Sequence, residues 1–325
     1  MDYEIDLLRG DVKKNYINPL RSEEPKTDVL FVDFIDKIVS RKAKRHKTSY
    51  VGNYRTLVYH LNNFCEKYDV KLYTNSINEE FLEDFICYLE ALYLKKTYIR
   101  FMLTLIKAMV KKAGIYGYSV DWTFDEVDVD DEETPAIYLT QNEIARIYYF
   151  KGLTKKQERI RDLFIVGCYT ALRYSDLNTL TKENVENGFI VKVSKKSNIK
   201  VVIPIHDFVK EIYEKYDGFP NRISSQHFNR YIKMICKKVG INKLVYINYT
   251  KGGEMIRECK EKWQLISSHT ARRSGATNLM NTGRIRVEEI MRITGHKSEK
   301  SFRRYIKTTK EDSARHMSTD NFFKE

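Results

Sequence analysis

The most constraining feature of the sequence is an acidic stretch near its middle, DWTFDEVDVDDEETP at residues 121–135. It contains eight Asp and Glu side chains, no Lys or Arg, and no helical period. Like charges at this density repel one another and extend the chain, and Pro135 ends the stretch. We therefore predict an acidic linker at residues 119–137 between two domains, which a length of 325 residues also favours.

Outside this stretch the chain is strongly basic. The sequence has 57 Lys and Arg against 44 Asp and Glu, a formal net charge of +13. An excess of this size favours a polyanionic partner, and its interruption by one acidic strip suits a nucleic-acid-binding protein better than a uniformly basic ribosomal one. A hydrophobic fraction of 42% argues against global disorder.

The sequence also indicates a cellular compartment. There is no run of about 18 apolar residues, and the amino-terminal segment lacks the apolar region of a signal peptide. The five cysteines are an odd number without a C-x-x-C pair, which indicates neither a disulfide framework nor a zinc site. We expect an intracellular, cytoplasmic protein.

Residues 28–114 show four successive segments with a helical period. The first contains Leu30, Phe31, Phe34, Ile35 and Ile38 at spacings near 3.6. Ser49, Asn78 and Thr97 are predicted to begin the next three helices, and Gly114 to end the last as a left-handed cap. Three basic runs on their polar faces, each typical of a solvated helix face by itself, together favour DNA binding.

The second half mixes helices with strands. TQNE at 140–143 is a capping box, so a helix begins there, and RIRDLFIVGCY predicts another. Alternation in GFIVKVSKKSNIKVVIPI predicts strands joined by turns at Asn187-Gly188 and near Ser197-Asn198. Helices return from Asp207, and a hairpin around LVYINYTKGGEMIRE precedes a helix that begins near His269. This domain is predicted to be mainly helical with a small antiparallel sheet.

Four fragments of this half carry residues suited to phosphate chemistry. They are ALRYSDL with Arg173, SKKSNIK with Lys196, HTARRSG with His269 and Arg272, and GHKSEKSFRRYIK with His296 and Tyr305. H-x-x-R alone is a weak signal, because His227 and Arg230 also satisfy it. That second pair lies on a stripe of packing residues, so we interpret it as structural: Phe228, Tyr231, Ile232 and Ile235.

Metal-free cleavage of a phosphodiester needs these residue types together. Charge develops on the non-bridging oxygens in the transition state, and planar arginine donors can hold it. The leaving alkoxide needs a proton, which a lysine on a hairpin could supply. A tyrosine can attack phosphorus and form a covalent bond when nearby cations favour its phenolate. Each residue also has an ordinary structural explanation, but five ordered matches by accident are improbable.

In this order and spacing, the fragments resemble the catalytic domain of the tyrosine recombinase, or phage integrase, family, and in particular the integrases of Bacteroides-type mobile elements. The helical module resembles that family's core-binding domain, a SAM-like bundle. The resemblance implies a site-specific DNA recombinase with a residue 1–26 arm, a core-binding domain at 27–118 and a catalytic domain at 138–325. It also implies association with the bacterial nucleoid.

The resemblance also implies a role for each site residue. Arg173 and Arg272 hold the phosphate, Lys196 protonates the leaving 5'-hydroxyl, and His269 assists proton transfer. His296 supports the phosphate, and Tyr305 forms a 3'-phosphotyrosyl bond. Asp176 matches the acidic position that orients the active-site arginine and histidine. No cofactor or metal is expected; the expected partners are double-stranded DNA, a homo-tetramer on two DNA sites, and accessory DNA-bending proteins.

Several points stay open at this level. Ala171 stands where the family often has glycine, and Lys195 is the alternative to Lys196, which we favour by counting back from VVIPI. The tail after Tyr305 is a candidate for docking on a neighbouring subunit through Phe322 and Phe323, or on its own domain. A type IB topoisomerase and a non-catalytic DNA-binding accessory protein are the alternative functions.

Overall fold

The computed structural model describes residues 28–43, 48–132 and 136–308, together with 314, 317–318 and 321–323. These residues group into two compact units, one formed by 28–132 with Asn248–Arg257 and the other by the remainder. Helices dominate both, with two small sheets, so the predicted fold class is confirmed. Within the described part of the chain, no helix has both the length and the apolar character needed to span a membrane. The predicted arm at residues 1–26 lies outside the described residues.

Four helices build the first unit, as their apolar periods predict. They are α1 (Phe31–Ala43), α2 (Thr48–Tyr68), α3 (Glu79–Ala91) and α4 (Lys96–Ile115). One stripe of each helix is fully buried, as Phe31, Leu57, Phe85 and Ile106 show. Asn78 caps α3 as predicted, because its side chain accepts a hydrogen bond from the N–H of Phe81 at 2.9 Å.

Three predicted helix boundaries in this unit, two starts and one end, are wrong. Ser49 lies inside α2, and α4 begins at Lys96, one residue before Thr97. Gly114 lies within α4 and does not end it. A Cβ atom on Gly114 would stand 3.1 Å from the Trp122 ring, so close packing explains this glycine; the left-handed residue is Gly117, with φ of 82°.

Part of the predicted acidic linker packs on the first unit. A short 3-10 helix forms at Trp122–Asp125, and Phe124, Val127 and Val129 are buried in the core of this unit. The acidic side chains between them pair with basic residues of α4, as in the bridge of 2.9 Å from Lys111 Nζ to Asp125 Oδ2. Apolar residues interleaved with paired carboxylates therefore hold this stretch against the bundle as far as residue 132.

Residues 136–308 add nine α-helices and five strands. The helices are α5 (Gln141–Tyr149), α6 (Lys155–Thr170), α7 (Tyr174–Leu177), α8 (Asp207–Tyr216), α9 (Ser225–Lys238), α10 (Lys262–Leu265), α11 (Ser268–Asn281), α12 (Val287–Thr294) and α13 (Glu299–Tyr305). The strands β1 (Val185–Glu186), β2 (Phe189–Val193) and β3 (Lys200–Pro204) form one sheet, while β4 (Leu244–Lys251) and β5 (Glu254–Glu261) form another.

The three-stranded sheet follows the predicted pattern. Its strands are antiparallel, with Ile190 opposite Ile203 and Val193 opposite Lys200. The first turn is at Asn187-Gly188, where both residues have positive φ, of 50° and 81°. The second turn, between Val193 and Lys200, carries the two lysines of the SKKSNIK fragment. Alternation therefore predicted both the strands and their turns.

Two helices at the centre of the second unit pack unusually closely. Helix α6 is buried on nearly all sides, and α11 lies against it. A Cβ atom on Gly275 of α11 would stand 2.3 Å from the carbonyl oxygen of Cys168 on α6. Glycine at this position lets the two backbones approach, and this approach sets the distance between the site residues that follow α6 and those on α11.

Candidate active site

Arg173 stands at the turn that ends α6. Ala171 caps that helix in the left-handed region, with φ of 50°, so the tight turn expected at this position is present without glycine. A left-handed alanine costs about 1 kcal/mol. Because the chain changes direction at this turn, Arg173 becomes the N-terminal cap residue of α7. Its side chain is half-buried, and its Nη1 donates to the Ser194 hydroxyl at 3.0 Å.

Asp176 lies behind Arg173 with only 1% of its surface exposed. Its carboxylate accepts hydrogen bonds from Ser194 Oγ at 2.9 Å and from the backbone N–H of Lys195 at 3.0 Å. Ser194 thus joins the carboxylate to the guanidinium, since its hydroxyl donates to Asp176 and accepts from Arg173. One buried charge therefore fixes both the arginine and the start of the lysine-bearing turn.

Both candidate lysines lie in the turn between β2 and β3. Counting back from VVIPI along a strand therefore does not choose between them, because neither lysine is in a strand. Their surroundings distinguish them instead. The backbone of Lys195 is held by Asp176, and its charge acts on Lys192. The charge of Lys196 acts on His269, whose pKa it helps to lower. The charge of Lys196 therefore acts on the candidate site, and the choice of Lys196 as the proton donor stays a prediction.

Arg272 is the most deeply buried cation of the site, with 4% of its surface exposed. It projects from α11 and donates to the carbonyl of Ala171 at 2.7 Å and to that of Thr294 at 2.6 Å. Burial lowers the pKa of this guanidinium to about 10, so it stays charged at neutral pH. A guanidinium has five N–H donors, so others remain for an anion after these two bonds.

His296 follows the end of α12, where Gly295 adopts a left-handed conformation with φ of 65°. Its Nδ1 forms a hydrogen bond of 2.7 Å with Thr294 Oγ1, and its Nε2 lies 3.4 Å from Arg272 Nη2. Burial, reinforced by the charges of Arg272 and Arg173, lowers the pKa of His296 to about 4. The imidazole is therefore neutral at physiological pH.

His269 stands in the first turn of α11. The helix start is held by the Ser268 N–H, which donates to Asn229 Oδ1 at 2.8 Å. Burial lowers the pKa of His269, and the charges of Arg273, Arg272 and Lys196 add to this effect. A neutral imidazole can accept a proton, which is what proton transfer at this position requires.

Tyr305 is the last residue of α13, a helix anchored by the fully buried Phe302. Its hydroxyl donates to the backbone carbonyl of His269 at 3.2 Å, and its ring centre lies 5.4 Å from that of His296. The Cζ atoms of Arg272 and Arg273 are 5.6 and 5.3 Å from the ring centre. Burial raises the pKa of the phenol, while Arg272, Arg273 and Arg173 oppose that rise.

The structure thus brings together the residues predicted as one site. Arg173, Arg272 and Lys196 supply positive charge, His269 and His296 supply neutral imidazoles, and a phenol oxygen points among them. Such a pocket can bind a phosphate and stabilise charge on its oxygens. The cations favour ionisation of the Tyr305 phenol as expected, but burial outweighs them, so the phenol of the free protein is protonated at neutral pH. Within the described ranges, no group of three or more His, Cys, Asp or Glu could hold a metal ion.

Some residues of the pocket had no distinguishing signal in the sequence. Ser194 and Thr294 are single hydroxyl residues that become informative only through the bonds described above. Arg273 directly follows Arg272, and only the structure shows that both face Tyr305. The alternative H-x-x-R pair is elsewhere, on the surface of α9: His227 is exposed, whereas the predicted packing residues Phe228, Ile232 and Ile235 are fully buried.

Two family models match most of the chain. The family model of the phage integrase family matches residues 138–312, and that of the phage integrase SAM-like domain matches residues 30–129. These matches place the protein among the recombinases that cleave and rejoin DNA strands. It belongs to the phage integrase family. No curated protein matches the sequence.

Solved structures of similar fold include two integrases. The Tn1549 transposon integrase in complex with a circular intermediate DNA has a TM-score of 0.68 at 15% identity, covering 89% of this chain and 99% of that one. A lambda integrase dimer bound to a COC' core site gives 0.67 at 15% identity, covering 86% and 96%. A lambda integrase tetramer bound to a Holliday junction gives 0.65 at 15%, covering 87% and 79%. At this identity the likeness establishes the shared fold.

Proposed function

We propose that this protein recombines DNA through a covalent 3'-phosphotyrosyl intermediate formed by Tyr305. The observation that carries the proposal is the position of the Tyr305 phenol, which lies against the guanidinium groups of Arg272 and Arg273 and the imidazole of His296. A phenol held among cations and neutral imidazoles is suited to attack an anion that those cations bind.

The scissile phosphate binds first. Arg173 and Arg272 hold its non-bridging oxygens, because planar guanidinium groups match the geometry of a phosphate and gain strength as its charge grows. Neutral His296, fixed by Thr294, supports the phosphate by holding the Arg272 guanidinium, whose Nη2 lies 3.4 Å from His296 Nε2. Asp176 acts indirectly. Its carboxylate accepts a hydrogen bond from the Ser194 hydroxyl, which in turn accepts one from Arg173 and so fixes that guanidinium.

The covalent step exchanges one ester bond for another. The Tyr305 oxygen attacks phosphorus and its proton passes to His269, whose carbonyl already accepts the phenol hydroxyl and whose imidazole is neutral. The bond from phosphorus to the 5'-oxygen breaks, and Lys196 donates a proton to that leaving oxygen, which becomes the free 5'-hydroxyl. Because the phosphotyrosyl ester retains the bond energy, a second 5'-hydroxyl can reverse the steps and join a new strand without ATP or a metal.

Both units take part in binding DNA in this proposal. Residues 27–118 act as the core-binding domain and residues 138–325 as the catalytic domain, each binding double-stranded DNA through Lys and Arg side chains. The similar integrases were solved with DNA, one of them as a tetramer on a Holliday junction, which supports a tetramer on two sites here. Binding should weaken steeply with salt, because cation contacts to phosphates release condensed counterions.

Covalent trapping tests the proposal and identifies the target sequence in one experiment. The full chain is incubated with a random-sequence duplex library that carries one nick, so that cleavage near the nick releases a short strand and traps the adduct. Adducts that survive SDS are recovered and their DNA is sequenced. The same duplex then serves for variants. Tyr305→Phe should form no adduct yet bind within a few-fold of wild type.

A matched control uses another half-buried phenol of the second unit. Tyr174 donates to the carbonyl of Ile223 at 2.7 Å, so Tyr174→Phe loses a comparable hydrogen bond and should still form the adduct. An adduct formed by Tyr305→Phe would refute the assignment of the nucleophile. Absence of any adduct with the wild-type protein would favour a non-catalytic DNA-binding protein. Relaxed circles without joint molecules from paired sites would favour a type IB topoisomerase.

A further inference from the structure

Arg273 lies beside the site without a role in the steps above. It follows Arg272 on α11, is partly buried, and donates from Nη1 to the backbone carbonyl of Ile137 at 3.2 Å. Its Nε atom is buried and has no hydrogen-bond partner among the described residues. A buried, unpartnered donor on a charged side chain is uncommon in a native fold, and it calls for an explanation beyond packing.

The position of its guanidinium supplies one. Arg273 Cζ lies 5.3 Å from the centre of the Tyr305 ring, nearer than the 5.6 Å of Arg272. Arg272 donates to the carbonyls of Ala171 and Thr294 and also interacts with the Tyr305 side chain, whereas Arg273 has the Ile137 carbonyl as its anchor. A cation within about 6 Å of an aromatic ring is attracted to its face and restricts its movement.

Among the described residues, the charged groups that act on the Tyr305 phenol are the cations Arg272, Arg273 and Arg173. Helix α11 contributes Arg272, Arg273 and His269, the segment after α12 contributes His296, and the start of α7 contributes Arg173. The two α11 arginines are the leading cations that favour ionisation of the phenol against the effect of burial. The phenol also affects Arg273. Burial lowers the pKa of the Arg273 guanidinium, and the charge of an ionised Tyr305 raises it.

We propose that Arg273 is a positioning residue for Tyr305, whose anchored guanidinium orients the ring and stabilises the negative charge that its oxygen carries during attack. This inference rests on the proposed function of Tyr305 as the nucleophile. Arg272 then serves both the phosphate and the phenol, with which it also forms a hydrogen bond, whereas Arg273 serves the phenol alone. The alternative is that Arg273 merely ties α11 to the chain at Ile137.

A titration of the phenol distinguishes the two without any DNA. Position 305 of the full chain is replaced with 3,5-difluorotyrosine, whose phenol ionises nearer neutral pH, and its single ¹⁹F resonance is followed with pH. An opposite charge within about 4 to 6 Å shifts a pKa by about 1 to 3 pH units, so Arg273→Gln should raise the midpoint by about one unit. Gln can still donate to the Ile137 carbonyl, which keeps the structural tie.

Three further variants make this titration decisive. Arg273→Lys keeps the charge, so its midpoint should stay close to that of the parent protein. Arg286→Gln removes an exposed arginine that pairs with Glu289 and should change nothing. If Arg273→Gln does not fold, Arg273→Met preserves the packing of the stem for the same comparison. An unchanged midpoint in the neutral variant, or an equal rise in Arg273→Lys, overturns the proposal.

Adduct formation on the recovered duplex provides the functional test. With tyrosine at 305, Arg273→Gln should slow the adduct about ten-fold at neutral pH, because each unit of pKa lowers the ionised fraction ten-fold. Difluorotyrosine at 305 should largely abolish that defect at a pH where it is ionised in both proteins. A defect that stays the same with either phenol indicates a structural role and overturns the inference. No adduct from the wild type refutes the proposed function, while the titration still decides the contact between Arg273 and Tyr305.

Discussion

The close contact between α6 and α11 predicts a large effect from a single methyl group. Replacing Gly275 with Ala would place a Cβ atom 2.3 Å from the backbone oxygen of Cys168 and 3.2 Å from the Cβ of Ala171. A carbon and an oxygen of this kind rest at about 3.3 Å, so the helices must separate by about 1 Å. The obstructing atom is backbone in the central helix of the unit and cannot rotate away.

The energetic cost follows from two opposing effects. Overpacking of a core costs about 1 to 3 kcal/mol, and a backbone contact belongs at the upper end of that range. Alanine is better than glycine within a helix by about 1 kcal/mol. We therefore expect Gly275→Ala to lower the free energy of unfolding of the second unit by about 2 kcal/mol. Since α11 carries His269 and Arg272, a displacement of about 1 Å should also slow adduct formation about a hundred-fold.

The two tryptophans of the chain allow each unit to be followed separately. Trp122 lies in the first unit and Trp263 in the second, so urea unfolding is monitored by Trp263 fluorescence in a Trp122→Phe background. Gly52→Ala is the control, because that exposed helical position has nothing within 4 Å of an added Cβ. It should stabilise the first unit by up to about 1 kcal/mol, measured by Trp122 fluorescence in a Trp263→Phe background. If Gly275→Ala has the same free energy of unfolding and the same rate of adduct formation as wild type, the predicted separation of the two helices is refuted.

Two further predictions concern the polar groups of the site. Ser194→Ala removes the hydroxyl that joins Asp176 to Arg173, and loss of a hydrogen bond to a buried charge should lower the free energy of unfolding by about 1.5 to 3 kcal/mol and slow the adduct. Unchanged stability at Trp263 would contradict it. The folded pKa of His296 is about 4, below the ordinary 6.5, so the unfolded chain takes up the proton first. The contribution of neutral His296 to the free energy of unfolding should be complete above pH 6.5 and disappear as the pH falls to about 4. His296→Gln should remove this pH dependence. An equal loss of stability between pH 6.5 and 4 in both proteins would contradict the prediction.

Patterns among neighbouring residues predicted most of the helices and strands, but fewer of the residues at which they begin and end. The helical period of the first unit and the alternation around the SKKSNIK turn are properties of neighbouring residues, and the structure follows both. The predicted end at Gly114 is wrong because that glycine lies within the helix and allows close packing against the Trp122 ring beyond it. The acidic strip likewise packs through Phe124, whose burial depends on a core that the strip itself does not contain. The predicted tail contact through Phe322 remains a prediction.

The sequence by itself determined the inventory of the site: which phosphate-binding, proton-transferring and nucleophilic residue types are present, and in what order. Only the tertiary structure decided how they work together. Three features depend on long-range packing: the charge of Lys196 acts on His269, Ser194 connects a buried carboxylate to Arg173, and two adjacent arginines both face Tyr305. The ionisation of the phenol is likewise a balance between burial and surrounding charge, and both arise only when segments more than a hundred residues apart enclose the same small volume.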